Sequence, residues 1–144
     1  MRYYSTNNRE SRASLREAIL LGLAPDGGLF MPERIPILPE IFWHAGKRSI
    51  ADTAFPMLDA FLHDDVPEAQ LRGIVQRVFS FPVPVVSVTP GMSVLELYHG
   101  PSASFKDFGA RFLAELLGYF ARGEDREWTV LVATSGDTGS AVAQ

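Results

Sequence analysis

Apolar positions in the first half of the chain recur at helical spacing. Between Ser11 and Leu23 they fall at Leu15, Ala18, Ile19 and Leu23, and Ser14 with Glu17 has the spacing of a capping box, which predicts a first helix. The segment APDGGLFMP ends it, because Asp26-Gly27-Gly28 tolerates positive φ and Pro32 blocks a helix. Prolines alternating with aliphatics from Arg34 to Pro39 predict an extended connector. Ser49 to Leu62 and Pro67 to Phe79 predict two more helices, joined by His63-Asp64-Asp65. In the second, Pro67 suits the first helical position, and Leu71, Ile74, Val75 and Val78 form one apolar face.

At Phe81 the pattern turns from helical to extended. Val83 to Val88 is β-branched and apolar, Thr89-Pro90-Gly91 turns the chain, and Val94 to Tyr98 alternates again, which predicts two short strands. After the loop His99-Gly100-Pro101, Ser104 reads as an N-cap with Asp107 as its reciprocal partner, opening a helix to about Arg122. Its predicted buried stripe is Phe105, Phe108, Phe112, Leu116 and Phe120, with Lys106 on a different face beside the small residues Gly109 and Ala110. Gly123 to Glu127 is a polar turn, Trp128 to Thr134 (WTVLVAT) is expected to be a buried strand, and SGDTGSAVAQ opens another helix. Helix, turn, strand, glycine-bearing turn and helix is α/β grammar. Gln144 falls a few residues into that last helix with one strand of a parallel sheet in place, so the sheet is expected to be completed by further chain or by a partner.

Composition narrows the class. The 144 residues suit one ordinary domain by length, and 47% apolar residues with ten phenylalanines supply a core. A formal charge of -4 with scattered arginines gives no footprint for nucleic acid. The longest charge-free apolar run, AILLGLA at Ala18 to Ala24, is far below the roughly 20 residues that cross a bilayer. The N-terminus lacks a signal-peptide core, and the absence of cysteine removes disulfides and thiolate metal sites; no other metal-ligand spacing is visible. A cytoplasmic enzyme or binding domain acting on a small molecule is the expectation.

Lys106 is the unusual residue. The chain holds two lysines, Lys47 and Lys106, against eleven arginines. A solvated surface lysine is the plain reading. Beside the scarcity of lysine, two features point beyond it. A helix N-terminus disfavours an ammonium and so favours a neutral, nucleophilic amine. Flanking phenylalanines add desolvation, while Asp107 works in the opposite direction. Such an amine suits Schiff-base chemistry. Ser135-Gly136-Asp137-Thr138-Gly139, at a strand-to-helix turn, would present backbone N–H groups and two hydroxyls to an anion, against the plain reading of an ordinary capped turn. His99 reads first as a hydrogen-bonded structural residue.

HGPSASFKDFGARF followed by ATSGDTGSA resembles the threonine synthase family, pyridoxal-phosphate enzymes of the tryptophan-synthase-β-like fold. YYSTN and GLAPDGGLFMP resemble the small N-terminal domain of its longer-chain class. The resemblance runs along the whole chain and rests on four motifs in order. It implies a small, mostly helical N-terminal domain over 1–82 and, over 83–144, the start of an α/β catalytic domain that is incomplete here. It further implies that Lys106 matches the lysine bonded to pyridoxal 5'-phosphate, that Asp137 lies near the cofactor ring, and that Ser135, Gly136, Thr138 and Gly139 receive the substrate carboxylate. Ser102 stands where threonine is common, which keeps the hydroxyl.

The implied reaction converts O-phospho-L-homoserine and water to L-threonine and phosphate, with the cofactor as electron sink. The family's loop for the cofactor phosphate lies beyond the point matching Gln144, so these residues by themselves are expected to be inactive and to need the C-terminal part of the same enzyme. A phospho-lyase resembling threonine synthase, or a noncatalytic truncated module, is the alternative. Oligomeric state stays open.

Overall fold

Three short strands that the hydrophobic pattern does not reveal open the chain. The structure, a computed structural model, describes residues 1–43, 46, 48–125 and 127–144, so Lys47 lies outside it. β1 (Arg2–Ser5) is central, flanked antiparallel by β2 (Arg12–Ser14) and β3 (Phe30–Pro32), with Tyr3 opposite both Ala13 and Pro32. Strands of three or four residues are too short to display a period of two, so sequence pattern passes over them. The Met1 amino group donates to Asp64 Oδ2 (3.1 Å) and Asp65 Oδ2 (3.0 Å), tying this sheet to a helix connection that the sequence presents as merely solvated.

The first helix, α1 (Leu15–Leu21), is shorter than expected at both ends, because Arg12 to Ser14 are engaged in β2 and Gly22, at φ +71°, terminates it. Its capping box forms: Glu17 N–H donates to Ser14 Oγ (3.2 Å) and Ser14 N–H donates to Glu17 Oε2 (2.7 Å). A single turn, α2 (Glu40–Trp43), precedes α3 (Ile50–Leu62), which Ser49 caps by accepting from Asp52 N–H at 3.1 Å. α4 (Glu68–Val78) follows, with Pro67 one position outside the helix.

The core is built on the face predicted for α4. Leu71, Ile74, Val75 and Val78 are buried together with Leu15 of α1, Leu62 of α3, Val66, and Leu116 of α5 (Lys106–Phe120). Phe112 and Phe120 pack against this cluster from the side. Arg77 of α4 makes a bidentate pair with Glu115 of α5 (2.8 and 2.7 Å), and that bond holds the Glu115 carboxyl below its ordinary range. Arg111 of α5 donates to the Arg77 carbonyl at 2.6 Å, so the helix carrying Lys106 is fixed to α4 by apolar and polar contacts alike.

Between α4 and α5 runs the expected hairpin, β4 (Val85–Thr89) and β5 (Met92–Leu95), turned by Pro90-Gly91 with Gly91 at φ +83°. Three expectations fail. The second strand, expected to run to Tyr98, ends at Leu95, and residues 96–98 carry no regular secondary structure. Phe105 is 61% exposed and not part of the buried stripe, because it precedes the helix instead of lying in its first turn; its ring still sits 5.4 Å from that of Phe108. Trp128 to Thr134 carries no regular secondary structure and is exposed, with Leu131 at 91%. A strand's N–H and C=O groups need a neighbour, and no described strand lies beside this segment. The chain then enters α6 (Asp137–Val142), which packs against α5. No helix among the described residues is long and apolar enough to cross a membrane.

Candidate active site

The segment from Glu96 to Lys106 is shaped by side chains bonding to nearby groups. His99 Nε2 lies 2.6 Å from Glu96 Oε2, and the His99 ring stacks on Tyr98 with centroids 4.7 Å apart. Hydrogen bonds from His99 and then from Tyr98 hold the Glu96 carboxyl below its ordinary range. His99 is thus engaged in a local structural pair, as the plain reading of a loop histidine has it.

Beyond it the loop tightens. Ala103 N–H donates to the Gly100 carbonyl at 3.0 Å, and Ala103 adopts φ +54°, a conformation that costs an L-residue roughly 1–2 kcal/mol. Ser102 Oγ and Ser104 Oγ are 3.0 Å apart, and Ser104 Oγ accepts from Lys106 N–H at 3.2 Å. Asp107 does not complete the capping box expected with Ser104. Helix α5 begins at Lys106, so Asp107 is its second residue, and its Oδ2 accepts instead from Ser102 N–H at 3.0 Å. The Asp107 side chain is fully buried, and Oδ1 has no hydrogen-bond partner among the described residues. Leaving a buried polar atom unsatisfied costs about 1–3 kcal/mol, so something other than packing must justify a carboxyl here. A Cβ on Gly100 would lie 2.3 Å from Asp107 Oδ2. Only glycine allows the loop to rest on that carboxyl.

Lys106 itself is exposed, and among the described residues nothing bonds its amine. On the face it shares, a Cβ at Gly109 would meet no atom within 4 Å, so the backbone of α5 is open to approach there. The second sequence-predicted cluster opens α6, which packs against α5. Ser135, Gly136 and Asp137 are exposed, and Thr138 and Gly139 are half-buried. The turn is organised by a residue that the sequence reading did not single out: Thr134 Oγ1 accepts from both Gly136 N–H (2.9 Å) and Gly139 N–H (3.0 Å). A hydroxyl two residues before a glycine at a helix start is the signal that could have found it. With those two amides held by Thr134, the hydroxyls of Ser135 and Thr138 are the turn's side-chain donors without a partner among the described residues.

An exposed lysine in the first turn of α5, a hydroxyl-rich loop before it, and a second helix, packed on α5, that opens at a glycine are the elements of a candidate site with an amine and hydroxyls to offer a small molecule. The family model described as threonine synthase N terminus matches residues 2–79, and the chain belongs to that family. It is 43% identical over 145 residues to the threonine synthase of Serratia marcescens, covering 99% of this chain and 33% of that protein. With the threonine synthase of Escherichia coli strain K12 the identity is 39%, at the same coverage.

Among solved structures, the E. coli threonine synthase superposes with a TM-score of 0.90 at 38% identity, over 99% of this chain and 33% of that one. A threonine synthase from Brucella melitensis, described as PLP-bound, gives 0.89 at 32% identity over 99% and 32%. The chain therefore spans about a third of the length of the relatives it matches, and corresponds to their N-terminal part.

Proposed function

We propose that these residues are the N-terminal third of a threonine synthase, which uses pyridoxal 5'-phosphate to convert O-phospho-L-homoserine and water to L-threonine and phosphate. The observation that carries this reading is the Lys106 amine: exposed, unbonded among the described residues, and beside the open face at Gly109. A primary amine so placed fits a group that presents an aldehyde, and the hydroxyls of the 135–139 turn fit a carboxylate. The division near residue 82, with the catalytic domain opening at 83, belongs to the same reading.

When bound, pyridoxal 5'-phosphate withdraws electrons from the substrate's α carbon. The rest falls to the protein. Lys106 would hold the cofactor, and its amine would serve as the base that moves protons at the substrate's α and β carbons. Ser135 and Thr138 would receive the substrate carboxylate through their hydroxyls, with Gly136 and Gly139, expected from the sequence to share that role, shaping the turn instead because Thr134 already holds both their amides. Asp137 would lie near the cofactor ring. Phosphate would leave from the γ carbon, which takes up the proton removed from the β carbon to become a methyl group, and water would add at the β carbon. The group that binds the cofactor phosphate belongs to the remaining two-thirds of the enzyme.

The test uses the full-length chain supplied with pyridoxal 5'-phosphate and O-phospho-L-homoserine, following threonine and phosphate together. Lys106→Ala is expected to lower turnover by about 10²–10⁴-fold or more. Release of a keto acid such as 2-oxobutyrate in place of threonine, or full turnover without Lys106, sinks the reading.

A further inference from the structure

We propose that Asp107 is a positioning residue for Lys106: its buried carboxyl holds the 100–105 loop against the first turn of α5, so that the amine is presented at one place. The inference rests on the reading of Lys106 as the cofactor lysine. Three hydrogen bonds in series, through four residues, make the connection. Asp107 Oδ2 takes the N–H of Ser102 (3.0 Å), the Ser102 hydroxyl meets that of Ser104 (3.0 Å), and Ser104 Oγ takes the N–H of Lys106 (3.2 Å). Asp107 follows Lys106 in the chain, so the series closes on itself and includes the lysine backbone.

Alternative roles for this carboxyl do not fit its surroundings. It is no surface charge, being fully buried, and it is no helix cap, because its bond runs to Ser102 and not to an amide of α5. An apolar side chain would fill the same volume without leaving Oδ1 unpartnered. What only an acceptor can supply is the hold on Ser102, the neighbour of Ala103, whose φ of +54° must be kept by the surrounding structure. Gly100 contributes by having no Cβ, since one would lie 2.3 Å from Oδ2.

The experiment compares the full-length wild type with Asp107→Ala, Asp107→Asn, Ser104→Ala and, as control, Lys106→Ala. Each is mixed with pyridoxal 5'-phosphate, reduced with borohydride at timed intervals and mapped for the modified lysine, and the pH dependence of the cofactor absorbance is recorded. Asp107→Ala is expected to slow labelling of Lys106 by about tenfold or more and to displace the pH profile, because the amine is no longer held in place. Asp107→Asn keeps an oxygen that accepts from Ser102 N–H and is expected to stay within about threefold of wild type.

Ser104→Ala cuts the series at a site outside the buried carboxyl and is expected to slow labelling by about threefold. It decides the matter if Asp107→Ala does not fold: unchanged labelling in Ser104→Ala then overturns the proposal. Wild-type labelling and pH profile in Asp107→Ala overturn it directly, as does an Asp107→Asn variant as slow as Asp107→Ala, which would assign the effect to charge. If wild type is not labelled at Lys106 at all, the cofactor reading itself fails and takes the positioning role with it.

Discussion

Asp26, in the turn between α1 and β3, accepts from Ser5 Oγ at 2.6 Å and from Gly28 N–H at 3.0 Å, and the Ser5 bond is the larger cause of a carboxyl that titrates below its ordinary range. A carboxyl whose folded value is depressed adds stability above its unfolded value of about 3.9 and loses it as pH falls through the folded one. Thermal unfolding followed from pH 6 to pH 2.5 should therefore show Asp26→Ala losing less than wild type across the acid limb below about pH 4, though starting lower. A parallel fall for both would deny the linkage. At this scale the sequence showed Lys106 because one of two lysines among eleven arginines is visible in a count. It did not show what Asp107 bonds, or that Thr134 holds the turn after it, because a hydrogen-bond partner depends on which residue starts a helix, and that shifts by one or two positions with tertiary packing.

Elements longer than about two turns were readable, for a physical reason: α3 and α4 must hide an apolar face, and burying a face writes a period of 3.6 into the sequence. The cap of α1 was readable too, since Ser14 and Glu17 answer each other's amides over three residues, whereas the cap expected from Ser104 and Asp107 was not formed. Ser14→Ala should cost about 1 kcal/mol, within the range of 0.5–2 for lost caps, in a denaturant melt of the chain. A change below experimental error would mean that α1 is held by Leu15 and the neighbouring sheet alone. The strands β1, β2 and β3 stayed hidden because each offers one or two alternations, and their pairing joins residues far apart in sequence, such as Tyr4 with Met31. The helix α5 was readable in extent but not at its first residue, and Phe105 went to solvent as a result.

For the molecule as a whole, one core gathers α1, α3, α4 and α5 around Leu71, which is wholly buried. Leu71→Ala should lower unfolding free energy by about 2–5 kcal/mol in urea, the range for emptying a packed site; a loss under about 1 would show that the core collapses around the gap. Outside that core the hairpin β4–β5 exposes Val85, Val88 and Met92, and residues 130–132 are exposed likewise. The apolar character of WTVLVAT is plain in the sequence, but burial is a property of neighbours, and no described strand pairs with it. By itself the sequence determined the helices with a face to bury, the turns that need glycine or proline, the rarity of Lys106 and the likeness to threonine synthases, all properties carried by nearby residues or by fixed order along the chain. Tertiary structure alone decided the opening sheet, the fusion of α5 into the first core, and the bond from Asp107 to Ser102, because each depends on where distant segments, or the exact start of a helix, come to rest.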